Sequence, residues 1–407
     1  MKIAWLAPYP ISLLQRKLQL RREGRTGHAC SWILNLSRAL ACRRDVDLHL
    51  ITLTAWVAFD QRVEHEGITF HVLKNGIPFL NRGYPPSFPL DVFTGFWADA
   101  NHLADEISLV KPDVVHAHGT ESAFARGALD SGYPVIVSVQ GIITEYQKTN
   151  PSLRFRIHSK WEQREVRRGK YFGCRTRFDA AFVEHVNPRA RIFRLQEAIS
   201  PVFFQRDWKT NASDGILFVG SLEQRKGVDF LLEALALVRK QRPNATLTLV
   251  GEGTSDYVNK LRQRVREFDL SNAVFFRGRL EASQIAEEHL CARIFVLPTL
   301  NDNSPNTLAE AMVSGMPVIA SAVGGIPSMI DDGTDGILVP PKDIPILASK
   351  IIELLGDSQM CARLGSNARN VARSRHDPDR VADETMATYR EVLERESSVL
   401  TASGLNT

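Results

Sequence analysis

The amino-acid sequence predicts an α/β protein built from two doubly wound parallel sheets. Short, nearly continuous apolar runs alternate with amphipathic stretches of helical spacing. The alternation starts afresh beyond a polar, turn-rich stretch, QRDWKTNASDG at 205–215. The length, 407 residues, is long for one core and comfortable for two.

Strands covered by helices on both faces read as continuous apolar runs rather than as alternation. In the first half these runs are KIAWLA (2–7), DLHLITL (47–53), ITFHVL (68–73), DVVHAH (113–118) and VIVSVQG (135–141). A helix is expected from about residue 28, where Ala29, Trp32, Ile33, Leu36 and Leu40 recur at helical spacing. The connection before it, Pro8 to Gly27, is long for a strand-to-helix loop, and such loops tend to carry function. In the second half the strands are GILFVG (215–220), ATLTLVG (245–251), AVFFRG (273–278), IFVLP (294–298) and PVIAS (317–321). A last helix, about 378–396, offers Val381, Met386, Tyr389 and Leu393 for packing, and the tail at 401–407 is expected to fray. The chain thus divides into a first domain 1–197, a linker 198–213, a second domain 214–377, and a terminal helix and tail 378–407 expected to pack back across the domain interface. Two such domains facing each other would leave a cleft between the carboxyl ends of their strands, the usual ligand site in these sheets.

The composition is that of a soluble globular protein, 44% hydrophobic, with no run near the ~18 residues that span a bilayer. MKIAWLAPYP reads as a buried strand turning at proline rather than as a signal peptide. Five scattered cysteines, with no CxxC pair or His/Cys cluster, fit a reduced, cytoplasmic compartment and no metal site. The net charge of +4 conceals an asymmetry: residues 1–205 carry 27 Lys and Arg against 19 Asp and Glu, and the remainder 23 against 27. Nine basic and two acidic residues fall in 154–177. That run is either a solvated helix face or a surface for anionic lipid or an anionic acceptor. No nucleic-acid recognition motif accompanies it, so no nucleic-acid partner is expected.

Two segments carry chemistry in the second half. In ILFVGSLEQRKGVDFLLEAL, Gly220 ends a strand, Arg225 and Lys226 follow, and a helix begins near Gly227, an arrangement that suits an anion. In NDNSPNTLAEAM (301–312), Pro305 suits a first helical turn and Ser304 or Asn306 can cap it. Helical side chains lean toward the N-terminus, so Glu310 points back over Asn306 and Thr307, toward N–H groups that prefer an anion. Asp302 stands just before the same helix. A pure phosphate would be repelled by Asp302 and Glu310, and a pure sugar would not need Arg225 and Lys226. A nucleotide sugar, with diphosphate for the cations and N–H groups and hydroxyls for the carboxylates, resolves the conflict. The bland alternative makes Glu310 a partly exposed helix residue and Asp302 a cap.

FVGSLEQRKGVDFLLEAL, LVGEG, FFRGRLEASQIAEEHLCARIFVLPT and DNSPNTLAEAMVSGMPVIASAVGGIPSMIDDGTDGILVPPKD stand in that order over about 170 residues. Together they resemble the donor-binding domain of the retaining family 4 glycosyltransferases, glycosyl transferases group 1, of the GT-B fold with two Rossmann-like domains. The resemblance implies that Glu310 holds ribose hydroxyls, that Asp302 contacts the donor sugar, and that Arg225 and Lys226 hold the diphosphate. It places Asn303, Ser304, Asn306 and Thr307 around sugar and phosphates, and Gly27 and Gly220 near the donor. In DVVHAHG it shifts the choice to His118 as the residue reaching the sugar or departing phosphate; His116 would support the strand, and Glu121 would orient His118. The chain departs from the family pattern at Asp302, where a Glu is usual, at Gly27, where a glycine pair is common, and at Gln140, where many members have His.

The activity so implied is that of a retaining, hexosyltransferase-type enzyme moving a sugar from a nucleotide-diphosphate donor to a saccharide or lipid-linked acceptor in cell-surface polysaccharide or glycoconjugate biosynthesis. It needs no cofactor or metal, and residues 154–177 would give peripheral contact with the cytoplasmic face of a membrane. A nucleotide-sugar epimerase of the same fold, or a noncatalytic nucleotide-sugar-binding protein, is the alternative.

Overall fold

A computed structural model of the chain describes residues 1–21, 30–75, 90–149, 151–205, 207–209 and 213–404. It divides into two units: residues 1–198 together with 378–407, and residues 199–377.

Unit 1 contains an eight-stranded sheet. Its strands are β1 (Lys2–Leu6), β2 (Asp47–Thr54), β3 (Gln61–His65), β4 (Ile68–Lys74), β5 (Val114–His118), β6 (Val135–Ser138), β7 (Tyr171–Cys174) and β8 (Arg191–Arg194). The order is β3-β4-β2-β1-β5-β6-β7-β8, parallel throughout except for the pairing of β3 with β4. The chain leaves β1 to build β2 and β4 on one side and later β5 to β8 on the other, so the direction of winding reverses between β1 and β5.

Unit 2 holds a six-stranded, all-parallel sheet of β9 (Gly215–Val219), β10 (Thr246–Val250), β11 (Val274–Gly278), β12 (Ile294–Leu297), β13 (Val318–Ser321) and β14 (Ile337–Val339). Its order, β11-β10-β9-β12-β13-β14, reverses between β9 and β12. The runs IFVL and VIAS are buried at every position, as strands covered on both faces must be.

Each strand expected from an apolar run is present. Four others, β3, β7, β8 and β14, were not expected. QRVEH and RIFR bury only part of their surface and carry charge on the exposed side, as edge strands do; YFGC and ILV are four and three residues long. The expected helix near residue 28 runs over Ser31–Ala41 and buries Ile33, Leu36 and Leu40. The segment expected as a linker at 198–213 is instead docked on unit 2 in its described part. Ile199, Phe203 and Trp208 belong to that unit's core, and Trp208 donates through its ring N–H to the Ala292 carbonyl at 2.8 Å.

The terminal helix runs further than expected, over Pro378–Gly404, so the helical backbone continues into the tail as far as Gly404. Val381, Met386, Tyr389 and Val392 join the unit 1 core beside Trp5 and Ile33. Tyr389, fully buried, is the polar link of that contact. Its oxygen accepts from Trp5 Nε1 at 2.8 Å and lies 2.6 Å from His116 Nδ1. Since the phenol accepts from tryptophan, its own proton goes to His116 Nδ1, leaving the Nε2 proton for Ser138 Oγ at 2.7 Å. His116 is therefore a strand-supporting residue held in one neutral tautomer, and burial lowers its pKa to about 3.

Tyr389→Phe removes the partner of two buried groups while keeping the ring. The variant is expected to lose roughly 1–3 kcal/mol of unfolding free energy in urea titration. Unchanged stability would show that the network is unimportant.

Candidate functional site

In unit 2 the candidate residues collect where the winding reverses. The connection from β9 to the helix Val228–Arg239 carries Gly220, Arg225 and Lys226; the connection from β12 to the helix Asn306–Ser314 carries Asp302, Asn303 and Ser304. The two loops are pinned together through the backbone, since the Arg225 carbonyl accepts from Leu300 N–H at 2.8 Å and from the Thr299 hydroxyl at 3.1 Å. Lys226 Nζ donates to Asp302 Oδ2 at 2.6 Å, and both residues are buried. Arg225 donates to the Asn301 carbonyl at 2.9 Å and to Glu223 Oε1 at 2.7 Å, and its guanidinium stands 3.6 Å from Asp302 Oδ1. Asp302 thus faces both cations.

Two glycines make this packing possible. Gly227 opens the helix at φ 68°, and a Cβ there would run into the Pro298 carbonyl. Gly324, at φ 54°, lets its loop close on Asp302, whose carbonyl accepts from Gly325 N–H at 3.0 Å.

The start of the helix Asn306–Ser314 differs from the expectation. Pro305 is the cap position rather than the first turn, and its extended backbone (φ −68°, ψ 116°) ends the helix. Glu310 is only 7% exposed, which sets aside the reading of a partly exposed helix residue, and helical spacing puts it on the same face as the half-buried Asn306 and Thr307. Asp302 is not a helix cap either, because its carboxylate is directed to Lys226. Gly220 closes β9, and its N–H donates to the Val250 carbonyl at 3.0 Å. Gly27 lies outside the described residues.

In unit 1, His118 ends β5 and is buried, its ring 4.4 Å from Trp5 and 4.0 Å from His116. Its Nε2 has no hydrogen-bond partner among the described residues. Burial, with the neighbouring His116 and Arg175 adding to it, pushes its pKa well below 6.5, so it is a neutral hydrogen-bonding group rather than a cation. Glu121 does not orient it: that carboxylate accepts from the Gly141 N–H instead. Gly119 and Gly141 flank Glu121 closely, and a Cβ on either would meet its carboxylate. Burial raises the Glu121 pKa to about 7.

Around His118 the structure adds a pair that sequence reading missed. Arg175, within the basic run, is held inside by Glu197 and by the Val139 and Gln140 carbonyls, and it lines a small cavity with His118, Gln140 and Glu197. Local charge density masked it; only its place directly after YFGC, a run buried at every position, could have given it away.

The two reversing α/β sheets define the GT-B fold class. The chain aligns with a sucrose-phosphate synthase from Thermosynechococcus elongatus over 97% of this chain and 100% of that one, with TM-score 0.78 and 18% identity. It aligns with HepE of Anabaena in complex with UDP-glucose over 98% and 100%, with TM-score 0.68 and 18% identity. In sequence it is 28% identical over 289 residues to a glycogen synthase of Mycobacterium tuberculosis, 69% of each chain. Residues 213–357 match the family described as Glycosyl transferases group 1. That match lies within the second unit, and together with the relatives it makes the chain a glycosyltransferase.

The neutral state of His118 has a measurable consequence. An unfolded histidine takes up a proton near pH 6.5 and the buried His118 does not, so its contribution to stability is full above pH 6.5 and declines as pH falls below it. The stability of wild type relative to His118→Gln, from urea unfolding at successive pH values, is expected to fall between pH 7.5 and 4. A difference independent of pH would show that His118 is protonated in the folded chain.

Proposed function

We propose that the protein is a nucleotide-sugar-dependent glycosyltransferase that retains the anomeric configuration. The observation that carries this is the buried Lys226–Asp302 pair, with Arg225 beside it, next to the start of the helix Asn306–Ser314, on which Glu310 is buried. HepE of Anabaena, which shares the fold, is known in complexes with UDP and with UDP-glucose.

The pair describes a site poised for exchange. Asp302 balances Lys226 and part of Arg225. A diphosphate takes over those cations, and Asp302, relieved of them, turns its oxygens to donor-sugar hydroxyls. Glu310 accepts from ribose hydroxyls at the helix start. As the glycosidic bond breaks through an oxocarbenium-like transition state, negative charge grows on the leaving diphosphate, where Arg225, Lys226 and the helix N–H groups hold it without a metal. Each charge-assisted hydrogen bond contributes roughly 1.5–3 kcal/mol. Asn303, Ser304, Asn306, Thr307 and Gly220 shape the donor pocket, and in unit 1 His118 keeps a neutral Nε2 available for a hydrogen bond to a ligand. The acceptor hydroxyl attacks from the face the diphosphate leaves and gives its proton to a phosphate oxygen, so no protein base is assigned.

The acceptor is a saccharide or lipid-linked saccharide of cell-surface polysaccharide assembly, met at the cytoplasmic face of a membrane. The helix Leu153–Arg168 supports this: Arg154, Arg156 and Lys160 are exposed and form no ion pair among the described residues, and Leu153 is 62% exposed at its start. No helix among the described residues is long and apolar enough to cross a membrane, so attachment would be peripheral.

Incubation with a panel of UDP-, GDP- and ADP-sugars is expected to release nucleoside diphosphate slowly, faster with an acceptor; epimer formation or binding without turnover would indicate the alternatives. Lys226→Ala and Glu310→Gln are each expected to reduce kcat/KM by tenfold or more, and near-normal activity in both would sink the site assignment. Co-sedimentation with anionic liposomes at low salt, weakened by Arg156→Glu with Lys160→Glu, is expected if the basic helix meets lipid. A chain that stays in the supernatant contradicts that part.

A further inference from the structure

The helix Leu153–Arg168 buries His158, Ser159, Glu162, Glu165 and Val166 on one face. Four of these five are polar, where a core-facing stripe is ordinarily apolar. Glu162 is 1% exposed and has no cationic partner among the described residues. Four neutral donors hold it instead. Its Oε1 accepts from the Thr120 hydroxyl and from the Ile143 N–H, both at 2.9 Å. Its Oε2 accepts from the Thr144 N–H at 2.8 Å and from the Thr144 hydroxyl at 2.7 Å. Each oxygen takes two donors, the full capacity of a carboxylate. The donors come from two separate stretches of chain. Thr120 stands just beyond His118, which ends β5, whereas Ile143 and Thr144 open the short helix that follows β6 and Gln140. The same two stretches are tied twice more, by the Gly119 N–H to the Ser138 carbonyl at 2.8 Å and by the Gly141 N–H to the Glu121 carboxylate.

We infer that Glu162 is a positioning residue of the transfer reaction: by accepting from both stretches at once it fixes the turn beyond β5, and with it the place at which His118 presents Nε2. The inference rests on the glycosyltransferase reading and extends it to a residue that touches no substrate. Packing alone does not call for a carboxylate here, since a buried charge without a counter-ion loses hydration that an apolar side chain of the same size would not. What only the carboxylate does is receive donors from both sides. Even the isosteric amide fails at this. Each oxygen receives one backbone N–H, Ile143 on Oε1 and Thr144 on Oε2, so a glutamine in either orientation sets its own NH2 against an N–H that cannot turn away. A supporting residue of this kind acts on rate through geometry, and displacement of a reacting group by about 1 Å costs on the order of a hundredfold.

The test is a double-mutant cycle on the full chain with the donor that the panel selects. Nucleoside diphosphate release is expressed per binding site, the sites being counted by calorimetry with that nucleoside diphosphate, so that unfolded molecules do not pass for slow ones. Glu162→Gln is expected to lower kcat by about tenfold or more. The nucleoside diphosphate itself meets unit 2, so its affinity is expected to change by less than about threefold. Thr120→Val, which removes one donor and keeps the shape, is expected to lower kcat several-fold, and Thr120→Ser, which keeps the hydroxyl, to stay close to wild type. In a His118→Gln background the same Glu162→Gln and Thr120→Val changes are expected to lower kcat by less than about threefold, because a merely structural role gives equal factors in both backgrounds and a positioning role does not. Equal factors in the two backgrounds, or full activity of Thr120→Val, overturn the inference. If Glu162→Gln does not fold, the Thr120 variants decide alone. Wild-type turnover reads the underlying assignment separately. Turnover without the coupling removes only the positioning role, whereas no turnover with any donor removes the glycosyltransferase reading itself.

Discussion

Parallel strands joined by right-handed crossovers place every following loop at the same edge of the sheet, and where the winding reverses two neighbouring loops diverge and leave a gap. Each unit has one such point, between β1 and β5 and between β9 and β12. His118 and Glu121 stand at the first, and the cluster of Arg225, Lys226 and Asp302 forms at the second. The burial of both sheets is thus the condition for both sites. Strands such as IFVL and VIAS hold none of the candidate site residues, yet they fix the loops that do.

Within unit 2 the decisive energy is electrostatic. A buried ammonium and carboxylate give up hydration and regain it through each other, so neither is stable there alone. An entering anion has to replace Asp302 as the partner of Lys226, and Asp302 then needs donors of its own. A ligand carrying phosphate and hydroxyls together satisfies both demands, which either part alone does not. The short Asp side chain at 302 reaches Lys226 at 2.6 Å and keeps that balance tight.

How much of this was legible in the sequence follows from what each signal depends on. The apolar runs revealed the central strands because burial on both faces leaves no choice of residue, whereas QRVEH and RIFR escaped because an edge strand is free to be charged. Arg225, Lys226, Asp302 and Glu310 were visible because charges at a strand end and a helix start conflict with a plain core. Their pairing was not, since the Lys226–Asp302 bond spans 76 positions of sequence. Arg175 was lost in a basic run because composition says nothing about which of nine cations turns inward. Glu162 takes one of its donors from Thr120, 42 positions away, and no local pattern contains that link.

The terminal helix joins the first unit after the whole of the second has intervened, so synthesis and assembly follow different orders. Residues 199–377 are one uninterrupted segment and have their core complete before the chain ends. Trp5 and His116 are made early, yet their buried polar atoms wait for Tyr389. On the ribosome, at about 5–20 residues per second, unit 1 therefore spends roughly ten seconds or more with an open groove where the terminal helix belongs. The part translated first is the part finished last, and its exposed apolar groove is the surface that chaperones would meet during that interval.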